Sequence, residues 1–402
     1  MSKEKPFPLR IVLLILLGWL AIVFPRMLIS PLLPTIEDEF HVSHGQAALL
    51  MSSYLLSYAI VQLPAGSLSD RFGNKLFMIL ALLGTSVGSL LMGFTSTFDQ
   101  ALAVRLLAGT LSGLWFASSS KMIAQYTSSS RRGRALGIVY SGGSIGTILI
   151  YVMVGVSSNG EVGWRYFFMI SSIPGFLCLA LTYFFAKDLK EKGVETENEG
   201  KDLSLEVVMK NIKSRPLILS LVFTFLSSLA SWSLGTFIPT YLIVDRRLLV
   251  AEASSILMVQ AVPSIFSSFL GGYVADRLGF RFPLVVSEVA MCLVSLLIPL
   301  SPLGIPMWVL LLFWGLIGGW SYTVLNLFVL KAVHRKLRGT LLGLYNQVGF
   351  IGATVGPPIF GFVIDIGGFA PFFTLSLILY ITSLPIALLI RDERHEMHNE
   401  NR

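Results

Sequence analysis

Twelve apolar runs, each about twenty residues long, restrict the fold of this chain more than any other feature. A helix needs about that length to cross a hydrocarbon core roughly 30 Å thick. No water is available there for backbone N–H and C=O groups, so each run must close its own hydrogen bonds as an α-helix. The first half gives spans at about 11–34, 45–66, 76–96, 101–124, 136–157 and 165–186. The second gives 216–243, 251–272, 282–301, 307–330, 340–363 and 371–390. Composition agrees, with 54% apolar residues, 13% charged and a mean hydropathy of +0.74. A soluble chain of 402 residues would need far more charge to cover its surface. The basic start (Lys3, Lys5, Arg10) and the run from Ile11 look like a signal peptide. The run is too long for one and lacks a small-residue cleavage site, so it reads as a retained first span.

The runs come in two sets. Gly66–Lys75 reads Gly-Ser-Leu-Ser-Asp-Arg-Phe-Gly-Asn-Lys, and Gly272–Arg281 reads Gly-Tyr-Val-Ala-Asp-Arg-Leu-Gly-Phe-Arg. Asp70 and Asp276 lie 206 residues apart (276 − 70), and the same offset relates Gly66 to Gly272, Arg71 to Arg277, Gly73 to Gly279 and Lys75 to Arg281. It also pairs Gly109 with Gly315, Gly113 with Gly319, Gly137 with Gly343 and Gly146 with Gly352. So many glycines in one register mark a duplicated unit, a known plan among transporters. The expected organisation is a six-helix bundle over 1–186, a polar linker over 187–215, a second bundle over 216–390 and a tail over 391–402. Leu203, Leu205, Val207, Val208 and Ile212 give the later linker the look of a helix lying on a membrane surface.

Charge orients the chain. Arg71, Lys75, Arg131, Arg132, Arg134, the linker, Arg277, Arg281, Lys331, Arg335, Lys336 and Arg338 all fall on one side with both termini. The positive-inside rule makes that side cytoplasmic and points to a plasma-membrane protein. The net charge of +7 is therefore topological, and no nucleic-acid partner is expected. Cys178 and Cys292 lie inside apolar runs and read as packing residues. His41, His44, His334, His395 and His398 lie in loops or the tail, without zinc-ligand partners, and there is no Walker loop. No catalytic residue, metal or cofactor is expected, and no enzyme.

The repeated Gly-x-x-x-Asp-Arg-x-Gly-x-Lys/Arg turn between spans two and three and between eight and nine resembles the signature of the major facilitator superfamily. Arg105-x-x-x-Gly109 resembles that family's fourth-helix motif, and Gly163-Trp164-Arg165 is also common there. The resemblance covers essentially the whole chain. It implies an all-α fold of 12 transmembrane helices in two pseudo-symmetric six-helix bundles, with alternating access to a solute site near the midplane. It also implies a gating role for Gly66, Asp70, Arg71, Gly73, Lys75, Gly272, Asp276, Arg277, Gly279 and Arg281. In such a role Asp70 would face the start of span eleven. Arg105 would serve coupling or conformational change.

Polar groups inside the spans should face water or one another. By resemblance spans one, four, seven and ten line the cavity. The candidate solute contacts are Arg26, Tyr54, Tyr58, Trp232, Trp320, Tyr322, Asn326, Tyr345 and Asn346. Arg26 is the sharpest: a cation within a span needs a partner, and a guanidinium suits carboxylate or phosphate. Lys121, near the inner end of span four, reads first as a side chain snorkelling to the cytoplasm. Glu288 in span nine is an awkward coupling site, because that span is peripheral by resemblance, so coupling to a proton or a counter-anion stays open. The leading expectation is a monomeric secondary transporter of a small organic anion, in contact with the lipid bilayer. The alternatives are a drug:proton antiporter and a solute sensor that does not transport. Span five reads Gly142-Gly143-Ser-Ile-Gly146 without the proline common in drug antiporters.

Overall fold

The computed structural model describes residues 8–157, 163–187, 214–332 and 337–390. Most of the linker, the proposed surface helix, His334, Arg335, Lys336 and the tail fall outside them. Among the described residues the structure is helical throughout, with no strand. The helices in order are α1 (Leu9–Met27), α2 (Ile29–Phe40), α3 (His44–Phe72), α4 (Asn74–Met92), α5 (Phe98–Ser112), α6 (Trp115–Tyr126), α7 (Ser129–Ser157) and α8 (Trp164–Phe185). They continue as α9 (Arg215–Thr240), α10 (Val250–Leu278), α11 (Arg281–Leu297), α12 (Ile305–Ile317), α13 (Trp320–Ala332), α14 (Arg338–Gly367) and α15 (Phe369–Leu389).

Eleven stretches among the described residues are long and apolar enough to cross a membrane. The expected ninth span, 282–301, is shorter than the sequence suggests: α11 has 17 residues. Ile298 still bonds back to Val294, but Pro299 brings no N–H and the chain turns there. Three expected spans are each split in two. Span one breaks at Leu28, close to Pro25 and Pro31. Span four breaks at Gly113–Leu114 and span ten at Gly318–Gly319. Helix starts follow capping chemistry. Ser43 accepts from the Gln46 N–H while the Gln46 side chain accepts from the Ser43 N–H, a capping box for α3, and Thr97 caps α5.

The described residues form two compact units, one within residues 1–192 and 238–255, the other within 193–237 and 256–402. In the first unit α4 packs against α8 and α5, α1 against α7, and α3 against α5. Its core gathers Ala21, Leu82, Trp115 and Cys178 among other wholly or largely buried side chains. In the second unit α11 packs against α15, α12 and α13. Large apolar side chains such as Leu107, Phe184, Phe269 and Ile366 point outward, as a lipid-facing surface requires.

The duplication is written into contacts inside each unit. A Cβ at Gly109 would come within 2.3 Å of the Tyr54 carbonyl oxygen, and one at Gly315 within 2.1 Å of that of Gln260. Tyr54 and Gln260 are themselves 206 apart (260 − 54), so the close approach of α3 to α5 recurs as α10 to α12. A Cβ added at Gly66 would lie 4.0 Å from the Ala117 methyl, and one added at Gly272 would lie 4.0 Å from the Thr323 methyl, in the same register. Ser89 and Ser171 share a hydrogen bond of 2.5 Å between α4 and α8; Ser295 and Ser376 share one of 3.0 Å between α11 and α15. Gly73 and Gly279 both take positive φ, +98° and +85°, which explains a glycine at each copy of the turn.

Candidate functional site

In the first unit four of the expected residues come together. Arg26 is 6% exposed on α1, with its guanidinium 5.6 Å from the Trp19 ring and 5.7 Å from the Tyr58 ring. Its buried Nε has no hydrogen-bond partner, and no carboxylate pairs with it among the described residues. Tyr58 stacks on Tyr54 at 6.4 Å, one turn apart on α3. Over Tyr54, at 4.4 Å, sits the guanidinium of Arg105, itself 3% exposed. The Tyr54 hydroxyl is buried and unpartnered. Cation–π contact of this kind contributes about 2 kcal/mol once desolvated, too little to offset the cost of a buried charge.

The two arginines do different things. Arg105 donates from Nε to the Leu50 carbonyl at 2.8 Å and from its two terminal nitrogens to the carbonyls of Pro25 at 3.3 Å and Arg26 at 3.4 Å. It ties α5 to α3 and to α1 just before the break at Leu28, a brace in which each guanidinium nitrogen is bonded to a backbone carbonyl. A cavity of about 10 Å³, lined by Tyr54, Thr85, Ser89 and Arg105 among others, lies beside it, enough for one water. Arg26 has no such hydrogen-bond partner for its Nε among the described residues.

Around Arg26 the structure adds residues that the sequence reading passed over. Trp19, Phe116 and Tyr140 form a triangle of rings 5.8–6.3 Å apart. Trp19 stands seven residues before Arg26, two helical turns, so the same-face spacing could have found it.

The turn motif is also built within the unit. Asp70 forms an ion pair with Lys121, whose Nζ reaches the Gly66 carbonyl at 2.5 Å. Lys121 reaches from α6 to the exposed Asp70 carboxylate and closes on the motif. Lys75 reaches the Tyr183 carbonyl at 2.6 Å, and Arg71 lies over the Phe72 ring. In the second copy Arg277 lies over the Tyr273 ring at 4.5 Å. At the other end of the first unit, Trp164 donates to Glu39 at 2.5 Å, and Arg165 bonds Glu39 and the Thr95 carbonyl. The Trp164-Arg165 pair thus fastens α8 to α2 and to the loop before α5.

In the second unit Tyr322 donates to Asn346 Oδ1 at 3.2 Å, and Asn326 donates to the Tyr322 carbonyl at 2.7 Å. Tyr345 is wholly buried; Trp232 and Trp320 are partly buried, the indole N–H of Trp320 without a partner. Among the described residues no group of three or more metal-ligating side chains is present.

The sequence profile of the Major Facilitator Superfamily matches residues 15–357. The chain belongs to that superfamily. It is 24% identical over 379 residues to a cis,cis-muconate transport protein of Acinetobacter baylyi, covering 92% of this chain and 91% of that one. It is 24% identical to a hexuronate transporter of Bacillus subtilis, covering 94% and 95%. Multidrug resistance protein MdtG of Salmonella arizonae is 28% identical, covering 82% of each. The solved structure of a D-xylose-proton symporter shares the fold with a TM-score of 0.78 at 16% identity, over 96% of this chain and 97% of that one. This superfamily member is therefore a multi-pass membrane transporter of small solutes.

Proposed function

We propose that the protein is a secondary active transporter of a small organic anion, working by alternating access in the plasma membrane as a monomer with both termini cytoplasmic. The observation that carries the reading is Arg26: a buried guanidinium with an unsatisfied Nε, aromatic rings on two sides and no carboxylate partner among the described residues. Such a cation is costly unless an anion completes it. The names of two relatives, for muconate and for hexuronate, describe carboxylate cargo and fit that chemistry. Tyr54, Tyr58, Trp232, Trp320, Tyr322, Asn326, Tyr345 and Asn346 supply the remaining solute contacts in this reading, from bundles spanning 1–186 and 216–390. The two Asp-Arg turns, around Asp70 and Asp276, act as the cytoplasmic gating elements.

The test is thermal stability of the purified protein with cis,cis-muconate, glucuronate or tetraphenylphosphonium, wild type beside Arg26→Gln. A ligand at about 100 times its Kd adds roughly 2.7 kcal/mol to the folded state, a readable melting shift. Stabilisation by a carboxylate in wild type and not in Arg26→Gln supports the anion carrier. The multidrug relative favours a second reading, drug efflux. Stabilisation by the lipophilic cation alone, unchanged by the substitution, would replace the anion reading with that one.

A further inference from the structure

We propose that Glu288 is a proton-binding site: a membrane-buried acid that takes up and releases one proton inside a cage of serine hydroxyls. Glu288 lies on α11 and is 1% exposed, and no lysine, arginine or histidine pairs with it among the described residues. Its Oε1 accepts from Ser227 of α9 at 2.9 Å and from Ser321 of α13 at 3.1 Å, and its Oε2 is bonded to Ser383 of α15. Three helices thus converge on one carboxyl group.

A proton count shows why this cage suits both states of the acid. Each serine has a single O–H to give. With the carboxylate ionised, all three point inward and offset part of the cost of a bare charge. Two of them have an alternative acceptor. The Ser383 hydroxyl also lies 2.9 Å from the Tyr380 carbonyl, and that of Ser321 lies 2.8 Å from Ser287 Oγ, which reaches the Ile317 carbonyl at 3.3 Å. When a proton binds Oε2, the acid donates to Ser383 Oγ, Ser383 turns to the Tyr380 carbonyl, and Ser321 turns to Ser287. Ser227 goes on donating to Oε1. No hydroxyl or carboxyl oxygen is orphaned in either form, the condition that a buried group must meet to exchange a proton at low cost. The serine oxygens already touch the carboxylate at hydrogen-bond distance, leaving no space between them for a metal ion.

The other titratable groups beside this site are Tyr380 on α15 and Cys292 on α11; among the described residues α9, α12 and α13 bring no charged side chain into hydrogen-bond or ion-pair contact with it. Folding alone does not call for the cage. At the offset of 206, Glu288, Ser227 and Ser321 correspond to Leu82, Ala21 and Trp115; at 205, as for Ser171 and Ser376, Ser383 corresponds to Cys178. All four counterparts belong to the buried apolar core of the first unit. The same position can be filled with hydrocarbon, and here it holds an acid and three hydroxyls.

Infrared difference spectroscopy of the full chain in lipid nanodiscs, titrated from acid to about pH 9, tests the proposal where buried glutamic acids change state. It needs no transported solute, so its outcome is independent of the anion reading. In wild type one buried carboxylic C=O band should vanish as pH rises. Glu288→Gln, which keeps the shape and a donor toward Ser383, should lack that band entirely. Ser383→Ala, which removes the acceptor, should keep the band but move its frequency. A wild-type spectrum without any titrating carboxylic band, or a band that persists in Glu288→Gln, would overturn it. So would a band that Ser383→Ala leaves in place. Replacing choline by sodium should leave the wild-type melting temperature unchanged; a sodium-specific rise absent from Glu288→Gln would mean a cation site instead.

Discussion

Two pairs of glycines in the same repeat register should respond to alanine with opposite signs. At Gly109 an added Cβ would stand 2.3 Å from both the Tyr54 carbonyl oxygen and Ser57 Oγ; at Gly315 it would stand 2.1 Å from the Gln260 carbonyl oxygen. Real Cβ atoms do not come closer than 3.0 Å, so the helices must part by 0.7 Å (3.0 − 2.3) in the first unit and 0.9 Å (3.0 − 2.1) in the second. A gap of that size forfeits a quarter to a half of each dispersion contact along the seam. Overpacking of this kind costs about 1–3 kcal/mol. At Gly137 and Gly343 nothing lies within 4 Å of the added atom. There alanine only improves helix propensity, by about 0.5–1 kcal/mol. Equilibrium unfolding in mixed SDS micelles, followed by tryptophan fluorescence, measures all four. Gly109→Ala and Gly315→Ala should be less stable than wild type, and Gly137→Ala and Gly343→Ala equal or more stable. If Gly109→Ala matched Gly137→Ala, the backbone-to-backbone seam between α3 and α5 would not exist as described.

Further outcomes follow from the same geometry. Gly73→Ala and Gly279→Ala each place a side chain at positive φ, and should each lower stability by about 1–2 kcal/mol in the same unfolding assay. Arg105→Lys cannot reach three carbonyls on two helices, so it should lower the melting temperature although the charge is kept. A double-mutant cycle of Asp70→Asn with Lys121→Met should show a stability coupling below about 1 kcal/mol, because both side chains are more than a third exposed or close to it. A coupling of several kcal/mol would mean that the pair is desolvated.

Most of the scaffold was legible because a membrane leaves a chain few options. Apolar length gave the spans, and the glycine register gave the duplication before any contact was known. The exceptions were local. Pro299 shortens α11, and the breaks at Leu28, Gly113–Leu114 and Gly318–Gly319 divide helices that hydropathy reads as continuous, since a kink barely changes hydropathy. Among the candidate site residues, Arg26 was proposed from its charge, Tyr54 and Tyr58 from helical spacing and Arg105 from the family resemblance, and the four gather in one unit. Of their aromatic neighbours, Trp19 was missed although its two-turn spacing from Arg26 marks it, and Phe116 and Tyr140 were missed because a ring in an apolar span gives no signal beyond hydrophobicity. Lys121 was read as a snorkelling side chain; its pairing with Asp70 depends on α6 packing beside α3, which a linear reading does not see.

The duplication also shows where folding stops explaining the sequence. Where the two units agree, they share what a packed helix pair needs: Gly109 and Gly315 at close crossings, Gly73 and Gly279 at caps with positive φ, and serine pairs joining α4 to α8 and α11 to α15. The buried charges are not shared. Arg105 corresponds to Leu311 and Glu288 to Leu82, both leucines fully buried, and Arg26 corresponds to Trp232. Each pair is a comparison of one architectural position filled with and without a charge. The leucines show that the position packs without one, so the cost of burying Arg105 or Glu288 is not imposed by the fold. That cost is met locally by three backbone carbonyls for Arg105 and three hydroxyls for Glu288. Arg26 alone among the three is left with a buried N–H that nothing in the described chain satisfies. A protein holds such a group at a cost of several kcal/mol, and under the proposed function an anion arriving from outside the chain would relieve it.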